Sequence, residues 1–180
     1  MARKKRDANK KSKRSIYFIV EGCTEENYIK LLKLIYRRNV QIKNCNGGSA
    51  KKVLQEAKKI INKYGDEYLG YVIWFDRDTY NPDRDYNLFN SLKVRESVKT
   101  YISSPCVENW LLAHFQKINE QEPQCGRCLA IMKQKYIARY EKNDCNMLTK
   151  FITKKEISAA MGNYPALQNI PACIEKNRII

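Results

Sequence analysis

Five carboxylates stand where apolar runs give way to polar segments. They are Glu21 and Glu25 in Val20-Glu21-Gly22-Cys23-Thr24-Glu25, Asp76 and Asp78 in Trp74-Phe75-Asp76-Arg77-Asp78, and Glu108 in Ser104-Pro105-Cys106-Val107-Glu108. Oxygen ligands of this type suit a hard cation such as Mg2+ or Mn2+. Such an ion neutralises phosphate oxygens and activates water, and a glutamate outside its coordination shell can serve as general acid or base. In extended chain, residues two apart point the same way, so Asp76 and Asp78 face one ion if the strand continues through Arg77. Glu21 and Asp76 meet if the first and third strands are neighbours. Glu25 and Glu108 have a second reason for their positions: each falls early in a helix, where the dipole favours negative charge.

The acids sit in a basic chain. Thirty-four Lys and Arg face 19 Asp and Glu, for a formal charge of +15. Arg3, Lys4, Lys5, Arg6, Lys10, Lys11, Lys13 and Arg14 stand against Asp7 alone. This block reads as a disordered basic arm, either a solubilising tail or a nucleic-acid contact. A basic body binds phosphate backbones without reading sequence, in a salt-dependent way. Arg77 either neutralises its flanking aspartates or touches a phosphate. The length of 180 residues points to one domain, and 43% hydrophobic residues exclude wholesale disorder. No apolar run is long enough to span a membrane, and the charged N-terminus lacks the apolar region of a secretory signal. A cytoplasmic protein is the expectation. Seven cysteines, an odd number with no export signal, are expected to be free thiols. Cys125-Gly126-Arg127-Cys128 is a lone CxxC, and zinc there would need further ligands, with Cys106, Cys145, Cys173 and His114 as the available types. His114 lies among Leu111, Leu112, Ala113 and Phe115, the setting of a packed histidine.

The elements that must position the acids alternate. Ile16–Val20, Val40–Lys43, Tyr71–Phe75 and Val98–Ser103 read as strands. Thr24 is placed to cap a helix with Glu25 and Glu26 in its first turn, and Ser49 to cap a second after the turn Asn46-Gly47-Gly48. The segment Asn46–Lys52 lacks the GxxxxGK[ST] spacing of a phosphate loop and reads as a plain turn. Tyr80–Asp85 reads as a polar loop, Asp85–Ser97 as a helix, and Pro105 as the first turn of another. This β-α alternation predicts an α/β fold with a mostly parallel four-stranded sheet flanked by helices. The remaining third reads as helical, with a helix over Cys128–Glu141 and a capping box at Thr153-Lys154-Lys155-Glu156. The division expected is a basic arm over 1–14, a core over 15–116 and a helical C-terminal extension over 117–180, packed on the core.

Three segments carry a family resemblance. Val20-Glu21-Gly22-Cys23-Thr24-Glu25-Glu26-Asn27-Tyr28 resembles the opening VEGxTExxY segment of RloB-like proteins, a branch of the Toprim superfamily. Asp76-Arg77-Asp78 resembles the superfamily's DxD, and Ser104-Pro105-Cys106-Val107-Glu108-Asn109-Trp110-Leu111-Leu112-Ala113-His114-Phe115 resembles the RloB-type NPCFExWLLxHF. Ser104 stands where Asn is usual, and Val107 where Phe is usual; neither change removes a carboxylate. The resemblance implies a Toprim-like, Rossmann-like fold binding Mg2+ (or Mn2+). It implies metal-binding aspartates at Asp76 and Asp78 and an acid/base or metal-associated glutamate at Glu21. Glu25 matches a glutamate that can bind metal in the nuclease branch. The implied activity is that of a nuclease cleaving RNA, such as tRNA, or DNA, acting in anti-phage or abortive-infection defence, often beside an ATPase. On this reading Glu21, Asp76 and Asp78 are catalytic, and Glu25 and Glu108 complete the metal site. The alternative is a non-catalytic module that binds nucleic acid or a partner ATPase through its basic surface. Nucleotide transfer of the primase kind is a third reading, against which stands the lack of a zinc module or a triphosphate loop.

Overall fold

The computed structural model describes residues 15–118, 124–142, 144 and 147–180. The basic arm of residues 3–14 and Cys145 lie outside the described residues.

Four short apolar runs form the strands: β1 (Ile16–Val20), β2 (Val40–Asn44), β3 (Gly70–Asp76) and β4 (Val98–Ser103). They pair in parallel in the order β2-β1-β3-β4. Strands buried on both faces need apolar residues at successive positions, which is how β1 and β3 read. On one face, Ile16, Phe18, Val20, Val72 and Trp74 join the larger core; on the other, Ile19, Tyr71, Ile73 and Phe75 join a second.

Helices α1 (Cys23–Tyr36) and α2 (Ala50–Tyr64) carry the chain from β1 to β2 and from β2 to β3. They lie on opposite faces, since Tyr28, Leu31 and Leu32 enter the first core and Val53, Leu54 and Ala57 the second. The chain therefore reverses its winding between β1 and β3. Such a switch point opens a crevice at the carboxyl ends of the strands. α3 (Pro82–Lys93) packs beside α2, and α4 (Val107–Ala113) follows β4.

The C-terminal third is helical: α5 (Cys125–Ile131), α6 (Met147–Phe151), α7 (Lys154–Asn163) and α8 (Asn169–Lys176). Its residues Ile157, Tyr164, Ile170 and Cys173 enter the same core as β1. Asn163 Nδ2 donates to the Ala113 carbonyl at 2.8 Å, tying α7 to the end of α4. No helix among the described residues is long and apolar enough to cross a membrane.

Several local expectations are corrected. α1 begins at Cys23 with Gly22 in the cap position, and Thr24 Oγ1 instead meets Tyr140 Oη at 3.4 Å. α3 begins at Pro82, three residues before the expected Asp85. Asn81 caps it by accepting from Arg84 N, and proline suits the first helical position because that N–H has no partner in any case. Pro105 precedes α4 rather than opening it, as the cap is Cys106. The helix expected over Cys128–Glu141 is shorter: α5 passes into a π-helical turn at Met132–Tyr136. The Thr153 capping box is present, with Thr153 N donating to Glu156 Oε2 at 2.9 Å and Lys155 N to Thr153 Oγ1 at 3.2 Å. The expectation of free thiols fails at one pair, for Cys106 and Cys125 are joined in a disulfide, while Cys23, Cys45, Cys128 and Cys173 stand outside any disulfide.

The start of β3 is packed without room for a side chain. A Cβ on Gly70 would overlap Ile179 Cδ1 and Cγ1 and lie 2.9 Å from the Ser97 carbonyl oxygen. Gly70→Ala is expected to cost about 1–3 kcal/mol in urea unfolding through overpacking. Adding Ile179→Ala should recover only part of the loss, because the Ser97 backbone stays in place.

Candidate metal and phosphate site

The crevice at the switch point holds the acids. Glu21 follows β1 directly, Glu25 lies in the first turn of α1, and Asp76 ends β3. All three line one pocket of about 270 Å³ with Thr24, Gly47, Val107 and Lys142. Val20 pairs with Trp74 and Asp76 with Ser103, so the register brings Glu21 beside the last residues of β3. The Asp76 N–H donates to Glu21 Oε2 at 3.1 Å and Thr79 Oγ1 donates to the same oxygen at 2.9 Å. Both bonds fall on Oε2, and Oε1 accepts none among the described residues.

Glu108 enters from the first turn of α4. The loop before it is pinned from three sides. Ser104 N donates to Tyr164 Oη at 2.8 Å, Asn109 Nδ2 to the Ser104 carbonyl at 2.7 Å, and Asp78 N to the Pro105 carbonyl at 3.1 Å. Glu108 is 0% exposed, Glu25 3% and Glu21 8%, a depth at which carboxylates are rare without a partner.

The partner present is Lys142, whose Nζ lies 2.7 Å from Glu108 Oε1. Its segment is laid across the start of α1: Asn27 Nδ2 donates to the Lys142 carbonyl at 3.2 Å, and Tyr140 meets Thr24. Asp76 Oδ1 is buried and accepts no hydrogen bond among the described residues. Burial raises the Asp76 carboxyl far above the ordinary carboxylate range, and the charges of Glu25, Glu21, Glu108 and Asp78 raise it further. Burial likewise raises Glu25, to about 7, with Glu21 and Glu108 adding to the shift against the lowering effect of its own backbone hydrogen bond and Lys142. Burial also raises Glu21, though its bonds from Asp76 N and Thr79 lower it. Lys142 is raised: partial burial disfavours its charge, but the bond to Glu108 and the charges of Glu108, Asp76 and Glu25 outweigh that.

Other expected site residues lie apart from this pocket's lining. The strand does not continue through Arg77; the chain turns into a 3-10 helix at Arg77–Thr79, and Asp78 is exposed there. Its charge still reaches Asp76 and Glu21. Arg77 is exposed, with its guanidinium 6.0 Å from the Tyr80 ring. His114 is packed, with Nε2 3.0 Å from Tyr28 Oη, and burial lowers it to about 4. Cys128 does not share a metal group with Cys125. Instead Cys106, Glu108 and Cys125 place atoms of ligand type within 4.8 Å of one another, a group that could hold a metal once the two sulfurs are no longer joined. Sequence reasoning missed Lys142 and Thr79, and no local pattern distinguishes either residue.

A family model for RloB-like protein matches residues 16–175. The chain belongs to the RloB-like family. The match extends through the C-terminal helices as well as the sheet that carries the acids. Neither the curated proteins nor the solved structures contain a match.

The raised carboxyls fix a pH dependence for this RloB-like chain. A carboxyl whose folded pKa exceeds its unfolded value of about 4 keeps its proton longer in the folded state, so its ionisation lowers stability as pH rises. In EDTA, Asp76→Asn is expected to gain thermal stability relative to wild type progressively from about pH 4 upward. Parallel wild-type and variant melts across that range would contradict the charge cluster described here.

Proposed function

We propose that this chain is a Mg2+- or Mn2+-dependent nuclease of Toprim type that hydrolyses phosphodiester bonds. The observation that supports the reading is the buried Asp76 Oδ1, unpartnered among the described residues, in a pocket it shares with Glu21 and Glu25, with Glu108 bound to Lys142 at the pocket wall. An orphaned acceptor among like charges fits a cation, since such a cluster is otherwise held only by protonation.

On this reading Asp76 and Glu21 hold the ion, Asp78 reaches it from the exposed turn, and Glu25 and Glu108 complete the site. The bound ion would supply charge neutralisation at the phosphate and activation of water. Thr79 and the Asp76 N–H orient Glu21. Glu25, raised to about 7 by burial and its acidic neighbours, would lose its proton when a cation enters the site. Hydrolysis adds a water oxygen to phosphorus, breaks the bond to the sugar oxygen and delivers a proton to that leaving oxygen. Lys142, half exposed at the pocket wall, offers positive charge to a phosphate oxygen. A second cleft lined by Lys43, Asn46 and Lys52 adjoins the Gly47 wall, where Lys52 Nζ donates to the Gly47 carbonyl at 3.1 Å. Its lysines provide a path for a phosphate backbone. The same reading makes RNA, such as tRNA, or DNA the substrate. It places the protein in the cytoplasm as an anti-phage effector beside a partner ATPase, with the basic arm and Arg77 as further backbone contacts.

The test incubates full-length protein with tRNA, single-stranded DNA and double-stranded DNA, with Mg2+, Mn2+ or EDTA. Metal-dependent cleavage is expected, and Asp76→Ala/Asp78→Ala should abolish it while leaving the circular dichroism spectrum unchanged. Salt-sensitive binding without cleavage, also in the presence of the neighbouring ATPase, would favour the non-catalytic module instead.

A further inference from the structure

Glu108 faces two chemistries. Its Oε1 meets Lys142, on the side of the carboxylate pocket, while its Oε2 lies 3.3 Å from Cys125 Sγ. Cys125 opens α5, Cys106 caps α4, and their Cα atoms are 5.7 Å apart. A disulfide sulfur carries no proton to donate to Oε2, whereas a Cys125 thiol does. The contact thus gains a hydrogen bond when the pair is reduced. Two sulfurs and a carboxylate are then available as ligands, and in the disulfide form their ligand atoms already lie within 4.8 Å of one another. Thiolates select a borderline or soft divalent ion over Mg2+, and three protein ligands leave a fourth tetrahedral position open.

We infer that reduced Cys106 and Cys125 form, with Glu108, a binding site for a thiophilic divalent cation such as Zn2+, adjoining the hard-cation pocket and sharing Glu108 with it. The disulfide is the closed form of this site. A thiol or phosphine reductant opens it by supplying two electrons, with two protons taken up by the sulfurs. Entry of the ion releases those thiol protons to solvent. Cys128 takes no part, because it is buried in the apolar core one turn along α5. Ionic competition follows, resting on the nuclease reading: a Zn2+ ion that engages Glu108 withdraws it from the Mg2+ site, so the reduced protein is inhibited at lower Zn2+ than the oxidised one.

Co2+ is the probe, because thiolate ligation gives it an intense near-ultraviolet charge-transfer band. Full-length protein reduced with a phosphine is expected to develop this band with one equivalent of Co2+ and to lose it on adding Zn2+. The disulfide form should show no band, a comparison that needs no variant. Cys106→Ser/Cys125→Ser should lose the band, and Cys128→Ser and Asp76→Asn should keep it. Retention in Asp76→Asn separates this site from the nuclease reading, since that variant is expected to lose cleavage. The inference is overturned if the reduced wild type gives no band, if the double serine variant keeps it, or if Cys128→Ser loses it.

Discussion

Glu25 and Glu108 are buried beside Glu21 and Asp76 with one lysine among them. Like charges at close range in a poorly solvated pocket repel strongly, and the protein relieves this by holding protons at carboxyls that would otherwise be ionised. Neither β1 nor β3 needs an acid at its end to form. The cluster is a cost borne by the fold, and a divalent cation is the species that removes it most completely. Burial raises the Glu25 and Asp76 carboxyls and the neighbouring acids raise them further, while the bond to Glu108 and the same acids raise Lys142.

Holding repelling groups together requires a stiff frame. The parallel sheet gives Glu21 and Asp76 their separation, and the reversal of winding between β1 and β3 opens the space they face. Glu108 depends on more distant parts of the chain. Tyr164 from the segment after α7 fixes Ser104, and the Cys106–Cys125 disulfide joins the cap of α4 to the start of α5. The C-terminal helices therefore help to set the site as well as cover one face of the sheet. Their inclusion in the family match is consistent with that dependence.

The strands were legible because a strand buried on both faces must be apolar at nearly every position, and Tyr71–Phe75 is. The ends of those runs placed Glu21 and Asp76 correctly at strand termini. Neighbour order was not legible, since nothing local to β1 states whether β3 lies beside it. The path of the chain after Asp76 was also hidden: alternation implied that Asp78 shares a face with Asp76, but the backbone turns at Arg77. Lys142 is one of 34 basic residues, and the contacts of Asn27 and Thr24 with its segment, with its own pairing to Glu108, bring it to the pocket. The disulfide was missed because a partner 19 residues away is chosen by how α5 docks on α4, which spacing alone does not encode.

The most direct measurement is a crystal structure of the full chain soaked with Mn2+, with the ion located by anomalous scattering. Mn2+ is expected between the Asp76 and Glu21 carboxylates, with Lys142 still at the wall of the pocket. An ordered pocket that stays free of Mn2+ at saturating concentration, or Mn2+ bound only elsewhere, would contradict this expectation.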